Sequence, residues 1–155
     1  MHQRTDSDGL TSRAAPTIRI ASREDISGLT QWQSAFVQER KDHRYYELLE
    51  DTLKDGFSYG YLIIEDGRAV RAIQPYFLVD QDLLAGMSGV ITKLVAALRR
   101  LWPRFMRART LMVGCAAGEG HLDGDDAAKA ATAETFGRSL QDVARELNCV
   151  MIVLK

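Results

Sequence analysis

Thirteen residues, Gly114 to Asp126 (GCAAGEGHLDGDD), gather most of the side chains in this chain that could do chemistry: Cys115, Glu119, His121 and Asp123. Glu119 or His121 could serve as a general base that takes a proton from a nucleophile. The same stretch also reads as a solvated turn, with Asp125 or Asp126 capping the helix that follows and placing favourable charge at its N-terminus. A nucleophilic role for Cys115 would need a basic setting, and no Cys-His-Asn pattern supplies one. Cys115, His121 and Asp123 are ligand types for a metal, but their spacing fits no zinc signature, so no metal site is expected.

The elements on either side should fix this loop in place. Thr110 to Gly114 (TLMVG) reads as a buried strand, and Ala127 to Leu147 as an Ala-rich helix with Phe136, Leu140, Val143, Ala144 and Leu147 on one stripe. Asn148 is a suitable stop, and Val150 to Leu154 (VMIVL) has the unbroken apolar character of a strand buried on both faces. Strand, helix and strand in this order predict a parallel crossover unit, and ligands of such sheets sit beyond the C-terminal strand ends.

Upstream, Thr17 to Ala21 alternates as a short strand, and Ser22 with Asp25 forms a capping box. Ile26, Leu29, Gln33, Phe36 and Val37 recur at helical spacing, and a second helix is expected over Arg44 to Lys54, ended by Gly56. Ser58 to Glu65 and Arg68 to Val79 flank Asp66-Gly67, the pattern of a hairpin with a type I′ turn. Pro75 cannot donate to a ladder and should mark an edge or a bulge. Tyr59 and Tyr61 alternate onto one face with Ile63, where cross-strand packing is the ordinary role of such rings. A third helix is expected within Leu83 to Trp102, with an apolar stripe through Val90, Ile91, Leu94, Val95, Leu98, Leu101 and Trp102, and Pro103 ending it. The order β-α-α-β-β-α-β-α-β predicts an α/β fold: a mixed sheet with a central antiparallel hairpin, a terminal β-α-β unit and helices on both faces.

With 155 residues, 46% hydrophobic and 26% charged, the chain has room for one folded domain, placed at 17–155 behind a flexible tail at 1–16. A net charge of −1 gives no global attraction for nucleic acid. Two cysteines, no apolar signal segment and no run long enough to cross a membrane point to a cytoplasmic protein. One local charge run stands out. Leu83 to Gly118 holds no Asp or Glu but contains Lys93, Arg99, Arg100, Arg104, Arg107 and Arg109, with Trp102 and Phe105 among them. That face would suit an anionic surface or tRNA, or it is a solvated helix face whose long stems cover apolar surface.

Three segments together resemble the N-terminal part of a GNAT-superfamily acyltransferase, in the FemAB-like branch associated with peptidoglycan biosynthesis. They are Gln74-Pro75-Tyr76-Phe77; Arg99-Arg100-Leu101-Trp102-Pro103; and Leu111-Met112-Val113-Gly114-Cys115 running into Gly118-Glu119-Gly120-His121-Leu122. The resemblance covers about Thr17 to Lys155. It implies transfer of an acyl or aminoacyl group to an amine acceptor. The donor would be an acyl-coenzyme A or an aminoacyl-tRNA, with no resident cofactor. It implies that Tyr59, Tyr61 and Tyr76 face substrate, and that peptide N–H groups of Val113, Gly114, Cys115 and Ala116 lie near the developing oxyanion. Such domains continue past the strand that ends here at Lys155, so the domain is expected to be truncated. The alternative is a non-catalytic binding module of the same fold, completed by a partner chain or as a homodimer by pairing at its last strand.

Overall fold

The computed structural model describes residues 15–84, 90–103 and 105–155. Most of the expected tail, part of the stretch before the third helix and Arg104 lie outside the described residues. The elements run β1 (Thr17–Ala21), α1 (Arg23–Ile26), α2 (Thr30–Gln33), α3 (His43–Thr52), β2 (Phe57–Asp66), β3 (Ala69–Asp82), α4 (Val90–Leu101), β4 (Arg107–Val113), α5 (Asp126–Glu146) and β5 (Met151–Leu154). The strands form one five-stranded sheet in sequence order. The first three pairings are antiparallel, and β4 and β5 are parallel, with Thr110 opposite Met151 and Val113 opposite Leu154. This is an α/β fold with a mixed sheet.

Alternation along the strands divides the interior into two cores. Tyr61, Ile63 and Ile73 face the layer of α1 to α3, where they pack with Ile26, Trp32, Phe36, Tyr46, Leu49 and Cys115. Leu62, Ile64, Ala72, Leu111 and Val113 face α5, whose Phe136, Leu140, Val143 and Ala144 recur every three or four residues along one stripe. Each large side chain so buried stabilises the fold by about 1.5–3 kcal/mol. Helices therefore cover both faces. No helix among the described residues is long and apolar enough to cross a membrane.

Several details differ from the sequence reading. The first helical region is not continuous. The capping box forms, with the Ser22 amide donating to Asp25 and the Asp25 amide to Ser22, but α1 is a single turn. α2 follows as another, and Phe36 then takes a left-handed φ of 58°. The helical spacing was real, but it belongs to successive turns wrapped over the sheet, so the chain has one helix more than expected.

The hairpin turn lies one residue later than expected. Asp66 pairs with Ala69, leaving Gly67 and Arg68 as the loop, and Gly67 alone has a positive φ, of 66°. A type I′ turn needs positive φ at both positions, so that assignment is overturned. The register shifts by one residue between Ile64, opposite Ala72, and Glu65, opposite Val70.

Pro75 is neither at an edge nor at a bulge. It lies in β3, between β2 and β4, opposite Tyr61. Its carbonyl accepts from the Gly114 amide at 2.9 Å, so its missing N–H faces β4 where that strand has just ended. The ladder thus loses little.

β5 is at the sheet margin rather than buried on both faces. Among the described residues it pairs with β4 alone, and Met151 and Leu154 are exposed. Among the described side chains of the α4 stripe, Val95 is buried, while Leu94, Leu98, Leu101 and Trp102 are exposed; those of Val90 and Ile91 lie outside the described ones.

Candidate functional site at the C-terminal ends of β4 and β5

The loop from Gly114 to Asp125 crosses the C-terminal end of the sheet, and its course is set by polar ties to distant parts of the chain. Lys41 Nζ donates to the carbonyls of Ala117 (2.9 Å) and Glu119 (2.8 Å) and lies 3.8 Å from Cys115 Sγ. Gln74, buried in β3, donates its side-chain amide to the His121 carbonyl. Asp123 accepts from the Phe36 amide at 2.7 Å, which holds the left-handed turn before α3. Asp125 caps α5 by accepting from the Ala128 amide. Gly114, with φ at 125°, turns the chain out of β4. A Cβ there would come within 3.0 Å of the Lys155 carbonyl, so the close approach requires glycine.

Two spaces open beside this loop, one on each face of the sheet. On the α5 face is a cavity of about 370 Å³ between α5 and the ends of β4 and β5. Val113, Leu122, Phe136, Leu140 and Leu154 give it apolar walls, and Gln74, His121, Gln141 and Lys155 are the polar residues placed around it. Its size falls within the range of small-molecule sites. His121 is partly exposed there. Its Nδ1 lies 3.9 Å from the Glu39 carboxylate, which also holds Lys129 Nζ at 3.2 Å. Glu39 therefore lies beside Nδ1, which leaves Nε2 as the ring nitrogen that could take a substrate proton.

On the opposite face a crevice of only about 10 Å³ lies among Tyr46, Tyr59, Tyr61, Pro75, Gly114 and Ala116, with Gly60 and Tyr76 completing its lining. That is room for about one water. Among the described residues, the buried hydroxyls of Tyr46 and Tyr59 have no partner in good hydrogen-bond geometry. Burial pushes both phenols above their ordinary range, and proximity to Cys115 adds to the rise; the His121 backbone opposes it at Tyr46. Tyr61 is raised by burial and then by its 2.6 Å bond to Glu50.

The residues singled out from sequence thus fall into separate groups. Tyr59, Tyr61, Tyr76, Gly114 and Ala116 meet at the crevice. Val113 and His121 meet at the cavity. Cys115 is buried in the core under α1 to α3, and its thiol donates to the Ala117 carbonyl. Glu119 is exposed and lines neither space. Among the described residues no three His, Cys, Asp or Glu side chains are grouped to hold a metal ion. Of the four peptide groups from Val113 to Ala116, the Gly114 N–H is already committed to Pro75.

Glu39, Lys41 and Gln141 were not legible from sequence. Glu39 and Lys41 lie in a polar run before α3, and only long-range packing gives them partners. In the basic segment, the Arg99 guanidinium spans both carboxylate oxygens of Asp82 at 2.7 Å each, so it is an internal tie rather than a free cation. Comparisons of the chain with protein-family models, with curated proteins and with solved structures returned no match.

Proposed function

We propose that this domain moves an acyl or aminoacyl group from an activated donor to an amine, in the manner of GNAT-like acyltransferases. The observation that carries the reading is one imidazole, His121, set beside an apolar cavity at the C-terminal ends of a parallel strand pair, with Glu39 next to its Nδ1. This is where α/β sheets present ligands, and a base beside an apolar wall suits an amine that must lose a proton while an acyl chain is held. The amine nitrogen would attack the donor's carbonyl carbon, and His121 Nε2 would take the amine proton. The C–S bond of a thioester, or the C–O bond of an aminoacyl ester, would break with its electron pair leaving on sulfur or oxygen. Of the peptide groups expected near the oxyanion, only that of Val113 belongs to a residue lining this cavity, while Cys115 and Ala116 lie toward the opposite face. The N-terminus of α5 is filled by its own Asp125, so a phosphorylated donor would enter with its phosphates directed elsewhere.

Donor binding and turnover test the reading together. Acyl-coenzyme A or aminoacyl-tRNA at a hundred times its Kd should stabilise the fold by about 2.7 kcal/mol. Thiol or tRNA release in the presence of amines should be lost in His121→Gln, while the thermal shift remains. A wild-type chain that neither gains stability from nor releases either donor would sink the proposal.

A second reading, a non-catalytic module that associates by strand addition, is favoured by β5 at the sheet margin with exposed Met151 and Leu154. Sedimentation that rises with concentration and ignores both donors would select it.

A further inference from the structure

We propose that α4 and the turn after it form a docking surface for an anionic phospholipid bilayer. Among the described residues, Val95 and Arg99 tie α4 to the rest of the fold. Val95 is 7% exposed, and Arg99 bridges Asp82 at the end of β3 while donating to the Phe105 carbonyl at 3.0 Å. Flanking these anchors, Leu94, Leu98 and Leu101 follow at i, i+4 and i+7 and form one continuous stripe. Leu101 is 87% exposed, Leu94 61%, and Trp102 just past the helix 72%. Leu83 and Met106 extend the apolar area on either side of the helix in sequence. Six of the twelve exposed large apolar side chains among the described residues therefore fall between Leu83 and Met106. Such a concentration in one short segment, with Leu94, Leu98 and Leu101 contiguous, marks an interaction site rather than scattered surface residues.

The charge pattern selects the occupant. Lys93 and Arg100, seven residues apart, flank the stripe on the side opposite Val95, and both are exposed, as is Arg107 at the start of β4. Asp82 offsets Arg99 and faces Arg107 across the β3–β4 pair, while Leu83 to Gly118 contains no acidic residue to offset Lys93 and Arg100. A helix with an apolar stripe, a tryptophan at its end and cations along one flank is the pattern of a segment that lies in the interface of an anionic membrane. Nucleic acid would use the cations but would leave Leu94, Leu98 and Leu101 exposed. The surface lies at the N-terminal end of β4, and the His121 cavity at its C-terminal end, so docking would leave that cavity open.

The full chain should bind vesicles of phosphatidylglycerol mixed with phosphatidylcholine, should not bind phosphatidylcholine alone, and should be released by salt. Trp102 emission should shift to the blue on binding, while buried Trp32, the only other tryptophan, stays unchanged. Lys93→Gln with Arg100→Gln should weaken vesicle affinity about 25-fold, at about fivefold per cation. Leu101→Gln with Trp102→Gln should abolish it with the circular dichroism and Tm unchanged, since both side chains are exposed. Failure of the wild type to bind anionic vesicles overturns the proposal. So does equal binding to neutral vesicles, or binding of tRNA that survives Leu101→Gln with Trp102→Gln. Self-association abolished by that same pair of substitutions, with no vesicle binding, would reassign the face to a second copy of the chain and also overturn it.

Discussion

Gln74 and His121 are joined by a single hydrogen bond, the buried side-chain amide of one donating to the backbone carbonyl of the other at 3.1 Å. Gln74 lies opposite Leu62 on the α5-facing side of β3, so its amide would otherwise meet an apolar core. The bond connects the middle of the sheet to the loop that carries the candidate base. Gln74→Leu removes the donor and leaves the His121 carbonyl to find another. Losing one partner of a buried pair costs about 1–3 kcal/mol. At about 2–4 °C per kcal/mol for a chain of this size, Tm should fall by several degrees. Hydrogen exchange should quicken over residues 118–124 and stay unchanged in the β2–β3 hairpin. Unchanged exchange in the loop would mean that Gln74 does not hold it.

Acid should release α4 before it unfolds the sheet. The Arg99 guanidinium, helped by the Leu84 amide, holds the Asp82 carboxyl down to about 2. A carboxylate depressed in the folded state contributes stability that is present above its unfolded value, near 4, and is lost as pH falls through the folded one. The window is therefore about pH 4 down to pH 2. Within it, exchange over 90–101 should rise before exchange in β2 and β3. In Asp82→Asn the same region should exchange quickly already at pH 7, with only a small change in global Tm because the pair is partly solvated. Simultaneous exchange of helix and sheet would show that the pair does not anchor α4 separately.

Tyr61 makes the opposite prediction, for alkaline pH. Its hydroxyl donates to Glu50 at 2.6 Å, and burial with that bond keeps the phenol protonated well beyond the ordinary value near 10. The unfolded chain releases this proton above about pH 10 and the folded chain does not, so stability should fall as pH rises past that point. Tyr46 adds in the same direction. In Tyr61→Phe, urea midpoints between pH 9 and 11 should decline less steeply, by about one proton's worth of slope. At pH 7 the variant should lose about 1.5–3 kcal/mol, the range for a bond to a charged acceptor. An unaltered slope would mean that another group controls the alkaline limb.

These relationships show what was legible in the chain and what was not. The hairpin, the capping box at Ser22 and the β4–α5–β5 unit could be read from sequence because each follows from local rules: a glycine that accepts positive φ, a reciprocal cap, and apolar spacing between stops. The position of β5 could not. An unbroken run such as MIVL is apolar whether the strand has one neighbour or two, and only pairing decides. The interrupted helix after Ser22 was hidden for a similar reason, since helical spacing persists through successive single turns. The loop was recognisable by its chemistry, but its geometry depends on Glu39, Lys41 and Gln74. Their partners lie 47 to 90 residues away, and no local pattern reports such contacts.

Gly60 and Tyr76 test how tightly the α5-facing side of the hairpin is packed. The two residues are opposite one another on β2 and β3, and a Cβ on Gly60 would come within 2.4 Å of Tyr76 Oη. Tyr76 is buried on the α5-facing side, so its ring cannot simply swing into solvent. Gly60→Ala should therefore overpack the site and cost about 1–3 kcal/mol, despite the usual gain in strand propensity on replacing glycine. Tyr76→Leu alone shortens the side chain and leaves a gap, and should also destabilise. Combined, the added methyl would occupy space that the phenol has vacated. The double variant should then be more stable than the sum of the single losses by at least 0.5 kcal/mol, which a double-mutant cycle in urea would measure. Strict additivity would mean that Tyr76 moves aside without cost and that its ring does not demand glycine at position 60.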